Sequence, residues 1–294
     1  MDAVLPVLTK KLADTWLTML ALPGLLFVAM LVVAHAAGHQ HALDGRRVLA
    51  GMEELARSAQ RSGSVGTVVL LSAAVAVAAV AGYTARALGA ATQWVWLGSW
   101  GRPDGRLTRR RQNRWQTAQD RYAERVLNAN ATPSAHRELA ELAATRNRIA
   151  LARPARPTWI GDRFAAAETR VWAEYAIDLG FCWPRLWLVL PEEARSECAA
   201  ARTAFDAASG MAGWGLLYMA VGCWWWPAAL VGLGLVLVAW WRGRGEATAF
   251  AELIESVVDV YGAELARCLA DNYVRRPLDE ESGAAISARA RKDA

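Results

Sequence analysis

Three stretches of the chain, residues 16–34, 65–85 and 207–241, carry no Asp, Glu, Lys or Arg, and the segments between them alternate polar and apolar positions at helical spacing. Such a partition is what a bilayer imposes, because a charge at mid-membrane costs about 2.5–3.5 kcal/mol even on lenient insertion scales. The first apolar run, Trp16 to Ala37, has 22 residues; at about 1.5 Å per residue it covers the ~30 Å hydrocarbon core. Ala34-His35-Ala36 imitates a signal-peptidase site, but the run exceeds the ~7–15 residues of a signal h-region. It reads as a signal anchor kinked at Pro23-Gly24. The second run, Val65 to Ala85, is rich in Ala and Gly, which let helix backbones approach closely. The third, Ala207 to Trp241, has 35 residues, too many for one span of ~20. It splits at Cys223-Trp224-Trp225-Trp226-Pro227 into a hairpin, since proline opens a helix well.

Between these runs the pattern predicts amphipathic helices. Leu43 to Ser64 reads as a short helix on the membrane surface, and Trp94, Trp96 and Trp100 suit an interface or a further turn or two of helix. After the turn Gly101–Gly105, one helix spans Leu107–Ala129. A second starts with Thr132 as cap and Pro133 as first residue and runs to about Ala152. The linker Arg153–Pro157 leads to a third helix near Gly161–Leu179, with Asp162 as a candidate cap. Phe181–Leu190 is too short to span and reads either as an interfacial segment or as buried core, and Pro191-Glu192-Glu193 opens a helix that continues toward the membrane. Arg242 and Arg244 stop the fourth span, Glu246–Ala270 is amphipathic, and Arg275–Ala294 is polar and expected to be disordered.

The fold class that follows is all-α: a polytopic helical membrane protein of about four transmembrane helices with a cytoplasmic helical domain. Residues 1–100 form an N-terminal transmembrane pair (spans about 16–37 and 65–85), 101–206 an Arg-rich cytoplasmic domain, 207–241 a transmembrane hairpin, and 242–294 a cytoplasmic amphipathic helix with its tail. Lys10, Lys11, Arg86, Arg242 and Arg244 outweigh the loop 38–64, so positive-inside counting puts both termini on the cytoplasmic side of a cell (inner) membrane.

Charge changes the picture in one respect. Residues 86–206 hold 19 Arg against 13 acids, and the whole chain has only three Lys against 30 Arg. That bias, with few Ile and abundant Ala and Gly, fits a GC-rich bacterial genome and weakens any argument that Arg was selected over Lys. The run Arg106, Arg109, Arg110, Arg111, Arg114 is the candidate site, for anionic lipid headgroups at ~1 kcal/mol per basic residue near a surface; nucleic acid is a weaker reading of the same charges.

His35, His39 and His41 cluster, but a structural metal site normally needs four ligands, so they read as interfacial side chains. The four Cys are scattered without a Cys-x-x-Cys pair. No phosphate-binding glycine loop, Gly-x-Ser-x-Gly or His-Glu-x-x-His motif occurs, and no catalytic residue, metal or cofactor is assigned. The function expected is a membrane-anchored scaffold, adaptor or sensor that presents cytoplasmic helices to a protein partner or to a second copy. The alternatives are an oligomeric channel or small-molecule pathway, and an enzyme acting on lipid in which Arg185 and the Arg106–Arg114 run grip phosphate.

Overall fold

The computed structural model describes residues 22–39, 42, 44–61, 63–101, 105–128, 132–269 and 278–292. Among these there are ten α-helices and no strand: α1 Leu22–Ala37, α2 Gly45–Arg61, α3 Gly63–Leu97, α4 Arg106–Leu127, α5 Pro133–Ile149, α6 Trp159–Tyr175, α7 Leu179–Val189, α8 Glu192–Val221, α9 Trp226–Leu269 and α10 Glu280–Arg291. Two of them, α3 and α9, are long and apolar enough to cross a membrane, and α1 is a shorter apolar helix from Pro23. Residues 16–21 of the first expected span, with Lys10 and Lys11, lie outside the described residues.

The chain divides into two units. The first comprises residues 1–92 and 207–241. Its core gathers Phe27, Ala34, Ala81, Tyr218, Val221 and Ala228, with Phe27 edge-on to Tyr218 at 5.4 Å between ring centroids. Small residues set its spacing. A Cβ on Gly213 would run into the Ala85 carbonyl, and one on Gly89 would meet the Gly210 Cα at 3.0 Å, so α3 and α8 touch backbone to backbone. The break expected at 223–227 is present: α8 ends at Val221 and α9 begins at Trp226. The Trp225 indole Nε1–H donates to the Ala42 carbonyl at 2.9 Å, which ties the turn between α8 and α9 to the loop between α1 and α2.

The second unit comprises residues 93–206 and 242–294. Its core is built from α6 to α10, with Val171, Ile177, Cys182, Leu186, Val258, Leu265 and Ile286 buried. Residues 179–189 form a helix whose Cys182 and Leu186 are buried in this core, in keeping with the core reading of 181–190, while Phe181 and Leu188 remain exposed. The tail corrects an expectation. Residues 280–291, expected to be disordered, form α10, capped by the Asp279 carboxylate on the Ser282 amide at 2.9 Å. Its polar composition hides a narrow apolar stripe of Gly283, Ile286 and Ala290, and Ser287 Oγ bonds both to the Ala176 carbonyl (2.8 Å) and to the Asp178 amide (2.9 Å).

Two helices extend beyond the expected spans. Helix α3 continues past Ala85 through Trp94 and Trp96 to Leu97, the further-helix reading of that segment, and α9 passes through Arg242 and Arg244 without a break. Arginines can end a membrane span without ending the helix, since both are good helix formers in water.

Candidate functional site

Local sequence explains the α4–α5 hairpin. Thr132 Oγ1 caps the Ala135 amide at 3.3 Å and Pro133 takes the first helical position, where its missing N–H is no loss. The two helices pack on each other through a polar seam: Arg125 pairs with Glu138 at 2.6 Å, and Arg146 donates to Gln119 Oε1 at 2.9 Å while lying 5.0 Å over the Tyr122 ring. Apolar content is low. Among the described residues of the hairpin only Thr108 and Ala135 are buried, whereas Leu127 at its tip is 86 % exposed.

The root of the hairpin is a buried carboxylate. Asp162, only 4 % exposed, takes Arg111 Nε at 2.9 Å and Nη2 at 2.6 Å on one oxygen, and the Ala155 and Arg156 amides at 2.9 and 2.7 Å on the other. Pro154 and Pro157 bracket those amides and lack N–H groups, and both amides between them converge on Asp162. Arg111 adds a 3.0 Å bond to the Ile149 carbonyl, which ends α5. Asp162 is therefore not the cap of α6, as its position suggested. Thr158 holds that role through the Gly161 amide (3.1 Å), and its hydroxyl also donates to the Trp96 carbonyl at 2.5 Å. Arg156 satisfies the Leu97 carbonyl at 3.1 Å, so the last turn of α3 is capped by side chains of the same loop.

This geometry sorts the five candidate arginines. Arg106, Arg109, Arg110 and Arg114 are exposed, and Arg106, Arg110 and Arg114 recur every four residues along one face of α4. Arg111 leaves the set, because its guanidinium is spent on Asp162 and Ile149. Arg185 likewise donates to the Phe181 carbonyl at 2.6 Å. His35 and His39 are exposed and His41 lies outside the described residues. Among the described residues no three His, Cys, Asp or Glu side chains are grouped to hold a metal ion.

Two features had no signal in the sequence. One is a charged cluster on α6 and α9: Arg170 pairs with Glu255 at 3.0 Å, and the Tyr175 hydroxyl donates to Asp259 at 3.0 Å. Burial pushes the Glu255 carboxyl above its ordinary range, with Asp259 and Glu252 adding to the rise and Arg170 opposing it. The Tyr175 hydroxyl is pushed up by burial and by its bond to Asp259. The other is a cavity of about 430 Å³ lined by Phe164, Trp183, Phe205 and Phe250 among others. Its wall is held by edge-on stacking of Phe164 against Phe205 (5.7 Å) and Phe250 (5.8 Å). The lining residues lie on α3, α6, α7, α8 and α9, from Leu97 to Ile254, so no single segment announces it.

No family model, no curated protein and no solved structure matches the chain.

Proposed function

We propose that this chain is a four-span membrane scaffold that holds the α4–α5 hairpin in the cytoplasm as a docking element for a protein partner with an acidic surface. Membrane anchoring is supported by what the first unit exposes. Eight Val and Leu side chains between Val65 and Val80 are exposed on α3. At roughly 1 kcal/mol for each half-exposed aliphatic, water would set about 8 kcal/mol against a fold whose net stability is of order 5–15 kcal/mol. A bilayer removes that cost. The bond from Trp225 to Ala42 supports the pairing of spans, since in a four-span arrangement with cytoplasmic termini both the 38–44 loop and the 222–225 turn face outward.

The observation that carries the docking role is the hairpin itself. Its root is fixed by a fully bonded buried carboxylate, yet its length buries almost nothing of its own. A soluble helix usually gains most of its stability by packing an apolar face, so a rigidly rooted pair left open is suited to pack on something else. Residues 106–149 hold ten Arg against four acids. Two copies would repel, and an acidic partner would be drawn in and oriented by the Arg106, Arg110, Arg114 stripe. Reversing those three charges to Glu in the full chain should leave folding intact and detach a partner that co-purifies with wild type. Retention of the partner, or a wild type that co-purifies only with anionic lipid, refutes the docking role; the latter outcome restores the headgroup reading of the same arginines.

A further inference from the structure

The aromatic cavity of the second unit goes beyond that reading. We propose that it binds an organic monocation of small aromatic or amphiphilic type, with its apolar body between the rings and its positive charge toward Glu168. Size comes first. An apolar cavity of about 150 Å³ accepts benzene, so the roughly 430 Å³ here has room for about three times as many atoms, on the order of 17. Ligand cavities begin near 300 Å³, which places this one within their range.

The walls favour a cation. Phe164, Phe205, Phe250 and Trp183 line the space, and aromatic faces attract positive charge through their quadrupoles, most strongly when the cation is poorly hydrated. The two ionic side chains on the lining are not equivalent. Arg202 is offset by Asp206, whose two oxygens both lie 3.1 Å from its Nε. Among the described residues no ion pair or hydrogen bond engages the Glu168 carboxylate, which leaves it accessible to a ligand. An anion entering the cavity would meet the unneutralised Glu168 carboxylate; a cation gains both the rings and the carboxylate. Glu168 stands at an exposed position, so a ligand can reach it without any element opening.

The test uses the full chain in nanodiscs of zwitterionic lipid, with empty nanodiscs as the blank. Proflavine, a flat fluorescent monocation of about 16 non-hydrogen atoms, is compared with anthracene-9-carboxylate, its near match in size and shape with the opposite charge. Proflavine should bind saturably at one site per chain, and the anthracene carboxylate at least about tenfold more weakly. Glu168→Gln should weaken proflavine about three- to tenfold, while Arg202→Gln should not weaken it. Gly180→Phe should abolish saturable binding by filling the cavity. It is a mild change for the fold, since a Cβ at Gly180 meets only the Asp178 Oδ1 at 3.4 Å; an unchanged elution profile in size-exclusion chromatography controls for misfolding. Absence of saturable proflavine binding, binding indifferent to Gly180→Phe, or tighter binding of the anthracene carboxylate each overturns the proposal. Dodecyltrimethylammonium as competitor separates the two kinds of cation: displacement extends the site to alkylammonium amphiphiles, and failure to displace confines it to flat aromatic cations.

Discussion

Replacing Asp162 by Ala should loosen the whole α4–α5 hairpin while the rest of the second unit stays folded. The carboxylate accepts four hydrogen bonds, two from Arg111 and two from the Ala155 and Arg156 amides, at 2.6–2.9 Å in a site that is 4 % exposed. Its removal leaves the Arg111 guanidinium without a counter-charge, holding only the Ile149 carbonyl, and strips two amides of their acceptor; losing one partner of a buried, hydrogen-bonded pair costs about 3–5 kcal/mol. Arg111→Ala should cost less, about 2 kcal/mol, because Asp162 then keeps its two amide donors and Arg111 is itself partly exposed. The double variant should be no more than about 1 kcal/mol worse than Asp162→Ala, as the two side chains act as one unit. Amide hydrogen exchange of the full chain in nanodiscs reads this locally. A 3 kcal/mol loss is a factor of about 150 in opening, and it should appear in peptides from 106–149 and in the loop 153–158. If Asp162→Ala changes exchange there by less than about fivefold, equivalent to ~1 kcal/mol, or if the two single effects simply add, the carboxylate is not what roots the hairpin.

Three further consequences follow from the same packing. Gly213→Leu drives a side chain into the Ala85 carbonyl, and the full chain should lose about 2 kcal/mol or more and show a lowered Tm in detergent; an unchanged Tm would refute the backbone contact of α3 with α8. Burial raises the Glu255 pKa in the folded state, so its contribution to stability is present below the ordinary carboxylate value and is lost as pH rises through the folded value. Glu255→Gln should therefore flatten the decline of stability as pH rises above the ordinary carboxylate range, and a decline as steep as wild type would be inconsistent with the burial effect. Ile286→Ala removes a fully buried side chain from α10 and should cost about 2–5 kcal/mol. Trypsin should then cut at Arg289 and Arg291 sooner than in wild type, and equal rates would mean that α10 does not depend on this contact.

The helical class and several of the breaks were legible because they are local properties. Thr132-Pro133, the turn at 222–225 and the amphipathic spacing of 45–61 each advertise themselves within a few residues. What the sequence concealed was long-range. Asp162 beside Thr158 resembles a helix cap on local grounds, and only the fold reveals that Arg111, 51 positions away, claims it. The run of five arginines looks uniform, yet helical geometry turns Arg111 inward while Arg106, Arg110 and Arg114 stay on the exposed face. The tail misled by composition: α10 needs just three small or aliphatic positions and one serine to dock, too few to lift a polar segment above the disorder expectation. The cavity draws on five helices, and a hydrophobic pattern read one helix at a time assigns its rings to ordinary core.

The four-span arrangement with a cytoplasmic second unit is tested most directly by the native cysteines. Cys182 and Cys198 are buried, while Cys223 is exposed in the turn between α8 and α9 and Cys268 is exposed near the end of α9. A membrane-impermeant maleimide added to intact cells, with the outer membrane opened if there is one, should label Cys223 alone, and Cys268 should react only once the cell membrane is permeabilised. Labelling of Cys268 from outside, or protection of Cys223 until permeabilisation, would contradict the topology and remove the docking hairpin from the cytoplasm.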